Sequence, residues 1–174
     1  NKLIRSTIKN FDNYTFNSCY HDINQFCVID MSNFYLDIIK DRLYTYKKES
    51  RERRSAQTTM YIILDALVKL LAPMIPFTAM KHTKGEEVES VMLTDFPEVD
   101  EKYDNKELTE KWDKIIKVKD IVAKELENAR ADKVIGHSLN AKVTIFAEGD
   151  QYKFLEENKE LLQTVFIISA LEIK

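Results

Sequence analysis

Seven cations gather between positions 40 and 54: Lys40, Arg42, Lys47, Lys48, Arg51, Arg53 and Arg54, against the acids Asp41, Glu49 and Glu52. The stretch carries a net +4, and four of the six arginines in the chain lie in it. Tyr35, Tyr44 and Tyr46 are in or beside it. Cations that neutralise phosphates, interleaved with aromatic faces for unstacked bases, are what single-stranded RNA recognition uses. Arginine adds bidentate pairing with phosphate oxygens, which lysine cannot match. The competing reading is a solvated helix end whose charges serve solubility.

Other chemistry is thinner. Cys19, His21 and Cys27 form the one metal-like cluster, but a structural zinc site needs about four converging ligands with close pairs. The plainer reading is two buried thiols and a surface histidine, so no metal ligands are assigned. His21, His82 and His137 are scattered. Ser138 adjoins His137, yet neighbours on a strand point to opposite faces. Only three glycines occur and no two are close, which leaves no phosphate-cradling loop. No catalytic residues are assigned either.

The elements that must hold the basic segment are helical. Six Gly and Pro in 174 residues argue against a turn-rich all-β fold, and 44% hydrophobic residues suffice for a core. Leu3, Ile4, Ile8 and Phe11 share one helical face, and Phe16, Tyr20, Ile23, Cys27 and Ile29 continue a second stripe. Asp30-Met31-Ser32 offers caps before a third stripe of Phe34, Tyr35, Ile38, Ile39 and Leu43. Met60, Ile63, Leu64, Leu67, Leu70 and Leu71 mark a fourth helix, closed by Pro73 and Pro76. Such one-sided helices must pack together, which predicts an antiparallel bundle over residues 1–82. Residues 83–105 read as an acidic, extended, solvated connection. Residues 106–174 read as a long helix followed by a small βαβ subdomain. In it, Val143 and Ile145 alternate with Lys142 and Thr144, Gly149-Asp150 turns into a short helix, and a β-branched run from Thr164 to Ile173 forms a second, parallel strand. The fold class is mainly α with a small α+β end. No apolar run is long enough to span a bilayer, and two thiols without a secretory signal suit the cytoplasm. The N-terminus carries neither a signal core nor Met, as expected of a chain that begins mid-protein or after processing.

The net charge of −3 and pI near 5.7 do not by themselves favour a nucleic-acid partner. The total hides its distribution: everything outside positions 40–54 sums to −7, most of it in the acidic connection.

Several blocks carry a family resemblance. The run from Asp30 to Tyr44 (DMSNFYLDIIKDRLY), Arg53-Arg54-Ser55-Ala56-Gln57-Thr58, Leu64 to Ala79, Glu89 to Pro97 and Ile135 to Val143 resemble isoleucyl-tRNA synthetases in the same order. The resemblance covers nearly the whole chain, with valyl enzymes the nearest confusable relatives. It implies the helical anticodon-binding region of a class I synthetase. The HIGH and KMSKS catalytic motifs of that family do not occur in this sequence, and ATP and Mg2+ belong to the catalytic part of such a parent. The implied partners are the anticodon stem-loop of isoleucine tRNA and the catalytic domain of the same chain, with no membrane. Lys40, Arg42, Arg51, Arg53 and Arg54 are then the candidates for phosphates, and Asn33, Tyr35, Tyr44 and Tyr46 those for bases. These individual roles come from charge and residue type. The alternative is a helical scaffold that docks the catalytic domain without reading bases. One departure stands out: after Ala79 the family pattern runs on through an aliphatic residue and a Trp that this sequence lacks.

Overall fold

The computed structural model describes residues 1–82 and 90–174. The chain divides into two compact units, Asn1–Asp104 and Asn105–Lys174.

The first unit is helical. Helix α1 (Lys2–Asp12) and α2 (Phe16–Gln25) form a hairpin. Thr7 and Cys19 are fully buried between them, with the Cys19 thiol 3.7 Å from the Thr7 carbonyl oxygen it donates to. Ser6 donates to Asp22 across the pair, as does Asn10 at 3.1 Å. The buried face of α2 is Cys19 and Ile23, not the expected Phe16 and Tyr20, which are exposed. The break expected at Asp30-Met31-Ser32 does not form. Instead the chain continues from α2 through a π-helical stretch, Phe26–Tyr35, into α3 (Leu36–Ile38) and α4 (Lys40–Tyr44). No side chain caps the start of this stretch. π turns are rare and concentrate at functional places. Ile39, between α3 and α4, is buried, and Phe34, Tyr35, Ile38 and Leu43 around it are half-buried, as the third stripe anticipated.

Helix α5 (Arg51–Leu71) is the longest element of this unit. Leu70 is fully buried and Met60, Ile63, Leu67 and Leu71 are half-buried, whereas Leu64 is exposed. After Pro73, a proline at the first helical position opens α6 (Pro76–His82). The acidic connection lies partly outside the described residues, at 83–89. From residue 90 it is neither fully extended nor free: 3-10 turns form at Val91–Leu93 and Glu101–Tyr103, and Val91, 2% exposed, packs with Ala72, Ala79 and Val68. The Phe96 ring lies 5.5 Å from Phe11, Asn1 Nδ2 donates to the Asp100 carbonyl at 2.8 Å, and Arg5 pairs with Asp104. Two apolar anchors and a few polar ties outweigh the solvation of a chain segment judged by charge alone.

The hydrogen bond from Arg5, and then that from Asn1, holds the Asp104 carboxyl below the usual carboxylate range. A carboxyl lowered by folding stabilises above its unfolded pKa, and that contribution is lost as pH falls through the folded value. Thermal unfolding midpoints should therefore drop below about pH 4, and Asp104→Asn should flatten part of that drop. A midpoint profile identical in both proteins would remove Asp104 from the acid response.

The second unit opens with α7 (Lys106–Ala131). Asn105 caps it by accepting from Leu108 N at 2.9 Å, and its buried positions Ile115 and Val122 lie seven apart, on one face. Strand β1 (Lys142–Ile145) alternates exposed and half-buried as expected. The second strand is shorter than expected: β2 spans Ala170–Ile173, and residues from Thr164 belong to a helix. The crossover holds two helices, α8 (Gly149–Glu157), whose Gly149 has φ +60°, and α9 (Lys159–Phe166). Leu162, Val165 and Phe166 bury one α9 face at helical spacing, and this overrode a β-rich composition. β1 and β2 are parallel, with Lys142 opposite Ala170 and Ile145 opposite Ile173.

Three helices share one ending. The chain turns left-handed just past α1, α7 and α9, at Tyr14 (φ 56°), Lys133 (φ 59°) and Ile167 (φ 54°). In each case paired bonds close the last turn, as when Lys133 N donates to the Arg130 carbonyl and Val134 N to that of Ala129. This is the Schellman arrangement, in which glycine usually takes the left-handed position.

Candidate nucleic-acid interface

The basic segment folds as a helix–loop–helix corner. Helix α4 packs on α5, and residues 45–50 join them. The loop is shaped by its own backbone bonds. Thr45 N and Oγ1 both reach the Asp41 carbonyl, at 2.9 and 2.7 Å, and Ser50 N donates to the Lys47 carbonyl at 2.9 Å. Ser50, in an extended conformation, caps α5 by accepting from Arg53 N at 3.3 Å. Arg53 Nη1 donates back to the Tyr46 carbonyl at 3.0 Å, so this arginine ties the loop to the helix. Ser50→Ala should cost about 1 kcal/mol of stability, the usual worth of an N-cap, readable in urea unfolding; no loss would show that Ser50 contributes no cap.

Most of the cations remain available. Lys40 pairs with Asp37, and that hydrogen bond raises the ammonium pKa. Arg42, Lys47, Lys48, Arg51 and Arg54 have no ion-pair partner among the described residues. Lys47, Lys48, Arg51 and Arg54 are exposed, and Arg42 and Arg53 half-buried. The Arg53 Nε is buried without a partner. Tyr44 is 81% exposed and Tyr46 also faces solvent. Three arginines crowd the first turn of α5, the positive end of its dipole, where cations are unfavourable and anions are welcome.

The structure thus groups Lys40, Arg42, Tyr44, Tyr46, Arg51, Arg53 and Arg54 on one corner. Asn33 and Tyr35 lie outside it, on the π-helical stretch that leads in; Asn33 is exposed and Tyr35 half-buried. Lys47 and Lys48, which are not among the candidates for phosphates, join the corner from the loop between α4 and α5, and a lysine pair between two helices is a signal readable in sequence. The other cluster resolves differently. Cys19 is in the core, where burial pushes its thiol up, and burial raises Cys27 as well. His21 stacks edge-on with Tyr20 at 5.4 Å. Among the described residues, no three of His, Cys, Asp or Glu converge as metal ligands.

Comparison with known proteins adds the decisive observation. Residues 1–145 match a family described as the anticodon-binding domain of tRNA ligase. The chain belongs to the anticodon-binding domain family of tRNA ligases. Among similar proteins, the isoleucine–tRNA ligase of Caldicellulosiruptor saccharolyticus is 54% identical over 179 residues, covering 99% of this chain and 20% of that protein. That of Caldanaerobacter subterraneus is 48% identical over 177 residues, 98% of this chain and 19% of its own length. The chain therefore spans about a fifth of the curated relatives it matches. Within this anticodon-binding domain the helical corner at 40–54 falls inside the matched span, as do α1–α7 and β1. Among the described residues, no helix is long and apolar enough to cross a membrane.

Proposed function

We propose that this anticodon-binding domain grips the anticodon stem and loop of isoleucine tRNA for an isoleucine–tRNA ligase. The observation that carries the reading is the corner of unpaired cations and exposed tyrosines at α4 and the start of α5. Lys40, Arg42, Arg51 and Arg54 hold phosphates. Arg53 both ties the loop and faces the same anion. Asn33, Tyr35, Tyr44 and Tyr46 meet splayed bases by stacking and amide hydrogen bonds. The parent is cytoplasmic and attaches isoleucine to tRNA. ATP and Mg2+ serve its catalytic part. This sequence has no glycine-rich phosphate loop to hold them.

A salt series tests the reading: binding of isoleucine tRNA and of a second tRNA, measured from low to moderate salt. Phosphate contacts give a log–log slope of about −0.7 each on single strands. A flat salt response overturns the phosphate contacts, and equal affinity for both tRNAs overturns the specificity.

One observation favours a second role alongside the first. Ile75 and Phe77, at the start of α6, expose large apolar side chains, Phe77 to 89%. Exposed apolar clusters mark protein contacts, and the catalytic domain of the same parent is the partner this face would dock. Binding of this domain to a separately produced catalytic domain, without RNA, checks it; a Phe77→Ser variant that binds as well would count against this face.

A further inference from the structure

The two-stranded sheet of the second unit is open along one side. In a strand, the N–H and C=O of one residue point the same way and alternate along the chain. β1 turns its odd-numbered residues toward β2: the Ala141 carbonyl accepts from Ser169 N at 3.3 Å, and the Ile145 carbonyl from Lys174 N at 2.9 Å. Ala147 N donates to the Lys174 carbonyl at 2.9 Å. The backbone groups of Lys142, Thr144 and Phe146 therefore face away from β2, and among the described residues they have no partner.

That edge borders a cleft of about 1120 Å3. Every residue from Asn140 to Ala147 lines it and no residue of β2 does, so the cleft runs along the free edge of β1. Its opposite wall is α7, through Val118, Ile121 and Leu126. Ile121, Val134 and Phe146, all lining residues, are large apolar side chains left exposed, Phe146 to 77%. Edge strands are ordinarily protected by proline, bulges, inward charges or a covering element. β1 has no proline, and its one charge, Lys142, pairs with Glu172 at 2.7 Å. Parallel strands are normally covered on both faces, and two strands alone are marginal.

We propose that the free edge of β1 takes a third strand, supplied by a segment of the same polypeptide outside residues 1–174. Backbone pairing to Lys142, Thr144 and Phe146 fixes the strand, and apolar residues at every second position fill the cleft against α7. An occupant from the same polypeptide fits because an apolar cleft beside an unprotected edge calls for permanent cover, and the relatives are about five times longer than this chain. The inference rests on that length and on the edge geometry, not on the RNA contacts proposed above.

Residue-resolved hydrogen exchange on the full-length polypeptide and on residues 1–174 tests it. The amides of Lys142, Thr144 and Phe146 should exchange at least about tenfold more slowly in the full-length protein. Those of Val143 and Ile145, already facing β2, should be alike in both. Equal rates at the three outward amides overturn the proposal. So does slow exchange in residues 1–174 alone; if that protection grows with concentration, a second copy is the cover instead.

Discussion

Glutamine at both Arg51 and Arg54 is expected to lower tRNA affinity about a hundredfold at low salt, because each lost charge-assisted bond of about 1.4 kcal/mol is tenfold. The salt slope should shrink by about 1.4, two contacts' worth on single-stranded RNA. Both side chains are exposed and without ion-pair partners, and both sit where the α5 dipole disfavours positive charge. The variant should therefore fold at least as well as the parent, with an unchanged or raised thermal midpoint. Fluorescence anisotropy across salt, beside a melting curve, separates the outcomes. Weaker binding with an unchanged slope would mean that these arginines do not touch phosphate. Arg53→Gln should behave differently: it loses the tie to the Tyr46 carbonyl, so binding weakens through the loop and the slope changes less.

The largest stability effect is expected at Leu70. Its side chain is 0% exposed, and truncation to alanine should cost about 2–5 kcal/mol, the lost transfer free energy plus a cavity. That is a large share of the 5–15 kcal/mol typical of a domain. Leu64→Ala, in the same apolar stripe, should cost well under about 1 kcal/mol because Leu64 is exposed. Urea unfolding of the two variants settles which part of the α5 stripe is core; similar losses would contradict the burial pattern.

The stripe itself was readable: proline marked its end, and five of its six apolar positions are buried or half-buried. The exposure of Leu64 was not, since periodicity says which residues share a face but not how far a neighbour extends along it. The π-helical path through Asp30 and Ser32 escaped for a related reason. Residues that can cap a helix can also sit inside one, as Asp30 and Ser32 do here. The run Thr164–Ile168 has strand composition and helix spacing at once, and burial of Leu162, Val165 and Phe166 decided the matter. In the acidic connection, eight acids between 86 and 104 point to solvent, while Val91 and Phe96 hold the chain down. The cation cluster was plain from composition. That Lys40 is already paired and that Arg53 spends a donor on the loop depends on geometry no spacing rule reports.

The glycine-poor helix endings give the chain a set of independent dials. Tyr14, Lys133 and Ile167 each hold a backbone geometry that costs a non-glycine residue roughly 1 kcal/mol. Glycine at Lys133, whose side chain is exposed, should return about that amount as a higher unfolding midpoint, and no gain would show that the strain is absent. None of the three lies in the 40–54 corner or on β1. Folding free energy can thus be tuned up without editing either surface, so that a variant lost to RNA binding through instability can be rescued, and one lost through missing contacts cannot.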